Sequence, residues 1–279
     1  MKVAVLGLGE AGSIYSTGFL NAGWEVRGYD PGDVTTPADV IRFTDIGDAV
    51  RGVQLVISLT SARVAERAAR DAVPHLAEGA VYADMNSASA AVKSAVAGVV
   101  AAASGVLFAD VAVLGSVPAN GPRASLVISG PGSAKAAELF TGIGAPVDDI
   151  GGQAGDAAQR KLLRSSFMKG LGALIVEATD ASIAAGAEQW LRDQIAAEIT
   201  GGYAALDRLN DGTRKHAARR SVEAAASAEM LEELGIPAVL GRAVTEVHQR
   251  LADESRSSDE LPADESSRGA AILTDRSAS

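Results

Sequence analysis

Apolar residues open the chain in short, unbroken runs. Lys2-Val-Ala-Val-Leu6 leads into Gly7-Leu-Gly9-Glu-Ala-Gly12, and a brief apolar run closed by glycine predicts a strand buried on both faces. A helical stretch follows with Ile14, Phe19 and Leu20 on its apolar side, and Gly23 ends it. The alternation then repeats. Strands are predicted at 24–29, 55–59, 80–83, 105–114, 125–129 and 146–150, and helices at 61–77, 88–103 and 133–142. This order predicts an α/β fold, a doubly wound Rossmann sheet over residues 1–153. The direction of the strands after residue 105 stays open at this level.

After Ile150 the strand signal stops. Helices are predicted at 154–178, 187–199, 202–210, 214–234 and 238–252, with breaks at Gly201-Gly202, Asp211-Gly212 and Gly235-Ile-Pro237. Residues 154–251 therefore form a second, all-helical domain for substrate binding and dimerisation. Its Ala/Leu-rich faces have little core of their own to cover them, so a homodimer is expected. Residues 252–279 turn to Ser, Asp, Glu and Arg with few core formers, and a disordered acidic tail is expected there.

The net charge of the 279 residues is −10, which argues against a nucleic-acid partner. The absence of cysteine removes disulfides, thiolate catalysis and cysteine metal sites. His75, His216 and His248 are too scattered for a metal-ligand motif, so no metal is expected. No apolar run reaches the length of a membrane span, and the first residues lack a signal-peptide layout. A cytoplasmic protein without a membrane partner is expected.

The glycines carry the first functional signal. Gly7, Gly9 and Gly12 follow a buried strand and open a helix, the setting in which GxGxxG binds a dinucleotide. Gly7 permits a tight turn, Gly9 lets backbone approach a pyrophosphate, and Gly12 lets helix and strand pack closely. Leu8, Glu10 and Ala11 belong to the same loop, whose helix N-terminus offers free N–H groups and a positive dipole end. Asp30, at the end of the second strand, suits the ribose hydroxyls and repels a 2′-phosphate, which predicts NAD over NADP. The plainer alternative is a strand–helix turn, with Asp30 a turn former before Pro31. Two further strand ends, Ser58-Leu59-Thr60-Ser61 and Asp84-Met85-Asn86-Ser87, suit a nicotinamide ribose and carboxamide. Helix capping by Ser61, Ser87 and Ser89 is the competing reading of this region.

The second signal is Lys161. Lys161, Arg164 and Ser165 share one helix face, on a helix expected to run along the interdomain cleft. A partly buried lysine there is suited to general acid/base work on a hydroxyl or carbonyl. A solvated basic face is the alternative. The cluster Arg214-Lys215-His216 to Arg220 is read as a charged helix face, with anion binding the competing reading.

The layout as a whole resembles the β-hydroxyacid dehydrogenases, the family of 6-phosphogluconate and 3-hydroxyisobutyrate dehydrogenases. The resemblance covers nearly all of residues 1–250. It rests on the N-terminal GLGEAG, the two-domain order, the segment Phe108-Ala-Asp110-Val-Ala-Val-Leu114-Gly115-Ser116, and the helix bearing Lys161. The C-terminal part resembles a subgroup with a short phosphogluconate-dehydrogenase-like helical domain. The resemblance implies hydride transfer between NAD(P) and a small anionic hydroxy acid, with Lys161 as general acid/base. It also implies that Gly115 and Ser116 hold the substrate carboxylate, helped by Arg164 or Arg123. Where the family commonly has a substrate-binding Asn, this chain has Ser165. The family includes imine reductases, which usually replace the lysine. Imine reduction and a catalytically silent dinucleotide-binding protein stand as alternatives.

Overall fold

The structure, a computed structural model, describes residues 1–259. The chain folds as two compact units, residues 1–167 and 168 onward. The division falls inside a long helix, further along than the boundary expected at 153/154.

The first unit is built on one eight-stranded sheet: β1 (Lys2–Leu6), β2 (Glu25–Tyr29), β3 (Ile41–Phe43), β4 (Leu55–Ser58), β5 (Val81–Asp84), β6 (Leu107–Leu114), β7 (Ser125–Ser129) and β8 (Val147–Gly151). The spatial order is β3-β2-β1-β4-β5-β6-β7-β8. Every neighbouring pair is parallel except β6 and β7, which settles the direction left open by the sequence. The helices of this unit are α1 (Glu10–Asn21), α2 (Ile46–Val50), α3 (Ala65–Ala72), α4 (Ala90–Ala101), α5 (Val117–Asn120), α6 (Ser133–Thr141) and the start of α7 (Asp156–Ala184).

Period-two burial explains the layering. Val3 and Val5 join one core with Tyr15 and Phe19 of α1 and Phe140 of α6. Ala4 and Leu6 point the other way, into a core with Ala69 of α3 and Val96 and Val100 of α4. Helices thus cover both faces, as a doubly wound sheet requires.

Register places a line of residues across the sheet. Ser58 of β4 pairs with Asp84 of β5, and Asp84 with Asp110 of β6. Asp110 also pairs with Ser129 of β7. Beyond Asp110, β6 continues for four residues with β7 alone beside it.

The second unit holds the rest of α7 and α8 (Glu188–Ile199), α9 (Gly202–Lys215), α10 (Ala217–Glu233) and α11 (Val239–Asp259). Glu177 of α7 accepts hydrogen bonds from the backbone N–H groups of Leu240 and Gly241, both at 2.9 Å, and so caps the first turn of α11. A side chain at Gly241 would press on Ala228, which keeps α10 and α11 close. No residue of α8 or α9 is buried.

Several expectations need correction. The break foreseen at Asp211-Gly212 is absent, because α9 continues to Lys215 and the chain turns at His216. The helix expected over 61–77 reaches only from Ala65 to Ala72, with a 3-10 turn at Val73–His75 around Pro74. The elements β3, α2 and α5 are too short to leave a periodic signal. The acidic tail was expected from residue 252, yet α11 carries on to Asp259, with Arg250 paired to Glu254. The remainder of that tail, 260–279, lies outside the described residues. No helix among the described residues is long and apolar enough to cross a membrane.

Candidate active site

The dinucleotide cradle is made almost wholly of backbone. Gly7 has φ +95°, and a Cβ there would meet the Leu59 carbonyl oxygen at 2.3 Å. A Cβ on Gly12 would lie 1.9 Å from the Gly7 carbonyl oxygen. These two positions therefore admit only glycine, for reasons internal to the fold. Gly9 differs: nothing in the protein lies within 4 Å of its absent Cβ. It stands at the N-cap of α1, where no side chain caps the helix. The N–H groups of this first turn have no side-chain cap beside the open space at Gly9, which is the arrangement an anion needs. The cleft here is about 530 Å³, lined in part by Gly7, Gly9, Asp30, Pro31, Leu59 and Thr60. A dinucleotide phosphate fits this cradle.

Asp30 closes the cradle at the end of β2. Its Oδ2 accepts the N–H of Leu8 at 2.7 Å and its Oδ1 the N–H of Gly32 at 2.8 Å. A carboxylate offers about four acceptor directions, so Asp30 retains capacity for hydroxyl donors. The Leu8 N–H is committed to Asp30 and its side chain lies in the core. Leu8 therefore shapes the loop from behind and does not face a ligand.

Sequence reading missed Arg42 of β3. Its guanidinium donates to the carbonyls of Asp30, Gly32 and Val34 and to Thr36 Oγ1. It ties down the segment after Asp30, and a three-residue strand gave no sign of it.

Lys161 lies elsewhere in the same unit. Its Nζ donates to Ser87 Oγ at 2.9 Å, just past the end of β5. Its pKa lies below that of an ordinary lysine. Burial is the main cause, the nearby Lys93 charge adds to it, and Asp110 opposes both. The start of α7 is pinned by side chains of two strands. Asp110 Oδ2 accepts the N–H groups of Gly155 at 3.1 Å and Ala158 at 2.9 Å. Ser129 Oγ accepts the N–H of Ala157 at 3.0 Å. Lys161 follows one turn after these anchors.

Asn86 Nδ2 donates to Ser58 Oγ at 3.1 Å and to Asp84 Oδ1 at 2.6 Å, and Thr60 Oγ1 lies 3.4 Å from Asn86 Oδ1. Ser58 is fully buried, which takes it off any ligand-facing surface. Asn86 and Ser58 join the ends of β4 and β5. Asn86 also lines the small pocket that Lys161 shares with Ser87, Lys93 and Asp110. Gly115, Ser116, Arg164 and Ser165 are not among the residues lining it. Ser116 is exposed and caps α5 by accepting the N–H of Ala119 at 3.3 Å. Gly115, with φ +96°, makes the turn before it. Arg164 is exposed and Ser165 half-buried. Lys93 was not foreseen, because no local pattern distinguishes it from a surface lysine of a helix.

Comparison with known proteins adds the following. The model of the NAD binding domain of 6-phosphogluconate dehydrogenase matches residues 2–152. A domain of unknown function, DUF1932, matches residues 183–251. A conserved hypothetical protein from Sinorhizobium meliloti 1021 is 26% identical with a TM-score of 0.59, over 95% of this chain and 91% of its own. A conserved protein of unknown function, reported as similar in structure to 3-hydroxyacid dehydrogenases, is 26% identical with a TM-score of 0.60, over 92% and 98%. An imine reductase variant from Myxococcus stipitatus, solved with NAD+, shares the fold with a TM-score of 0.77 at 17% identity, over 91% and 94%. No curated protein matches by sequence. The glycine cradle and the match across the whole sheet agree: the chain belongs to the family of the NAD binding domain of 6-phosphogluconate dehydrogenase, and its cofactor is a nicotinamide adenine dinucleotide.

Proposed function

We propose that the protein is an NAD-dependent oxidoreductase that transfers a hydride between the dinucleotide and a small anionic hydroxy acid or related carbonyl compound. Lys161 is its general acid/base. The observation that carries this reading is the half-buried Lys161 ammonium, held by Ser87 beside the end of β5 and easier to deprotonate than an ordinary lysine. When bound, the dinucleotide supplies the hydride acceptor or donor. The chain's residues do the rest. The first turn of α1 holds the phosphates through its N–H groups. Asp30 accepts hydrogen bonds from the adenosine ribose hydroxyls, and its charge disfavours a 2′-phosphate, so NAD is preferred to NADP. Arg42 supports that preference, because its donors are already engaged by backbone carbonyls. Ser116, whose Oγ already accepts a backbone N–H, keeps its own hydroxyl proton to donate to a substrate carboxylate. Lys161 Nζ takes the substrate hydroxyl proton in oxidation and returns it in reduction.

The test is a spectrophotometric screen of NAD+ and NADP+ reduction over short hydroxy acids and sugar acids, with wild type and Lys161→Ala. Turnover of at least one hydroxy acid, lost in the variant, is expected. Undiminished turnover in the variant removes Lys161 from the chemistry. The neighbours solved as imine reductases give a second reading, and a cyclic imine reduced in preference to every keto acid would select it.

We also infer a homodimer through the helical unit. Trp190 is 64% and Tyr203 85% exposed, and Val176, Ile183 and Ile199 are exposed with them. Large apolar side chains left exposed in this number on α7, α8 and α9 offer contact surface for a second copy. Light scattering at twice the chain mass is expected, and a monomeric mass overturns the inference.

A further inference from the structure

Lys93 is 1% exposed, a rare state for a lysine. It sits on α4 after the Ser89 cap, with its Nζ at the row where Asp84 and Asp110 stand side by side. The Nζ donates to the Asp84 carbonyl at 2.6 Å, and lies 3.3 Å from Asp84 Oδ1 and 3.1 Å from Asp110 Oδ1. Two buried carboxylates in adjacent register repel each other, and the ammonium between them relieves this. Each carboxylate has a second task. Asp84 Oδ1 takes the N–H and Nδ2 of Asn86. Asp110 Oδ2 takes the N–H groups of Gly155 and Ala158, so the strand end grips the helix that carries Lys161. Lys93 and Lys161 also line the same pocket, of about 20 Å³. An apolar side chain would fill the same space without the desolvation cost of a buried ammonium.

We propose that Lys93 is a positioning residue for Lys161. Bridged to Asp84 and Asp110, it fixes the Asp110 carboxylate on the first turn of α7 and so sets both the place and the electrostatic surroundings of the Lys161 Nζ. The charged groups facing that Nζ are Asp110 from β6 and Lys93 from α4, with Asp84 from β5 behind them. Ser87 is its hydrogen-bond partner, and Arg160 and Arg164 on its own helix are exposed. Removing the Lys93 charge therefore leaves Lys161 facing uncompensated carboxylate and strengthens its hold on the proton. Removing the Asp84 charge leaves Lys93 less compensated and weakens it.

The proposal rests on the acid/base reading of Lys161 only for its kinetic arm, so the primary readout needs no substrate. Full-length wild type, Lys93→Met and Asp84→Asn are acetylated briefly with acetic anhydride between pH 6 and 11. The Lys161 peptide is then quantified by mass spectrometry. The midpoint for Lys161 is expected to rise by about half a pH unit or more in Lys93→Met and to fall in Asp84→Asn. A merely structural cluster would loosen the pocket in both variants and move both midpoints the same way, or neither. Either result overturns the proposal. If Lys93→Met does not fold, Asp84→Asn decides alone: a midpoint at or above wild type overturns the assignment. Where a substrate is found, the pH limb of kcat/KM follows the labelling midpoints. Opposite labelling shifts without turnover on any substrate would sink the proposed activity and leave this assignment standing.

Discussion

The dinucleotide cradle and the Lys161 pocket sit in one unit and are built by opposite means. The cradle is backbone: three glycines, an uncapped helix end and one carboxylate that braces the loop. The pocket is side chain: Lys161, Lys93, Asn86, Ser87 and Asp110 line it, and Asp84, in register with Asp110, pairs with Lys93 behind it. A backbone site depends on what is absent, namely Cβ atoms. A side-chain site depends on charges that must all be present together. The two should therefore fail differently.

The largest effect is expected where the buried charges are broken. Lys93→Met strands two carboxylates without a counter-ion and should cost about 3–5 kcal/mol of stability, read from urea unfolding. A loss under 1 kcal/mol would mean that the pair with Asp84 and Asp110 contributes little. Next, Lys161→Ala should lower turnover by roughly 100-fold or more while fluorescence titration shows dinucleotide binding intact, which separates pocket from cradle. Third, Gly7→Ala should destabilise by about 1–3 kcal/mol because of its positive φ and the Leu59 carbonyl. Gly9→Ala should leave stability within about 0.5 kcal/mol yet weaken dinucleotide binding, since its methyl enters open space. If both variants lose stability alike, the distinction between a packing glycine and a ligand-facing glycine fails.

The smallest effect is on pH. With the Lys161 pKa below the ordinary 10.5 of lysine, the free amine is available at lower pH than usual. Oxidation should rise with pH through a midpoint under that value, and reduction, which needs the ammonium, should fall through it. Profiles flat below pH 10 in both directions would contradict this.

This contrast also decides how much could be read from residues alone. The cradle was legible because its geometry is local: a strand, three glycines within six residues, and an acidic residue at the next strand end. The doubly wound sheet was legible for the same reason, since short apolar runs and glycine breaks repeat along the chain. Lys93 was not legible, because its partners are set by strand pairing across many residues. Arg42 escaped notice because β3 has only three residues. Leu8, from its place in the glycine loop, and Ser58, from its place at a strand end, read as cofactor contacts, yet their polar groups are engaged inside the protein. The helical unit was foreseen in outline, but the glycine at 212 does not end α9, which runs on to Lys215.

Asp110 is the one residue of β6 that is bonded in register on both sides, to Asp84 in parallel and to Ser129 in antiparallel sense. The sheet is therefore two staggered panels spliced at a single rung. Its position is a ruler: counted from Leu107, the splice falls at the fourth residue. Inserting or deleting one residue in that short span would turn the carboxylate to the opposite face and detach the long helix from the first panel. Sequences that diverge freely elsewhere in this architecture should hold that count fixed.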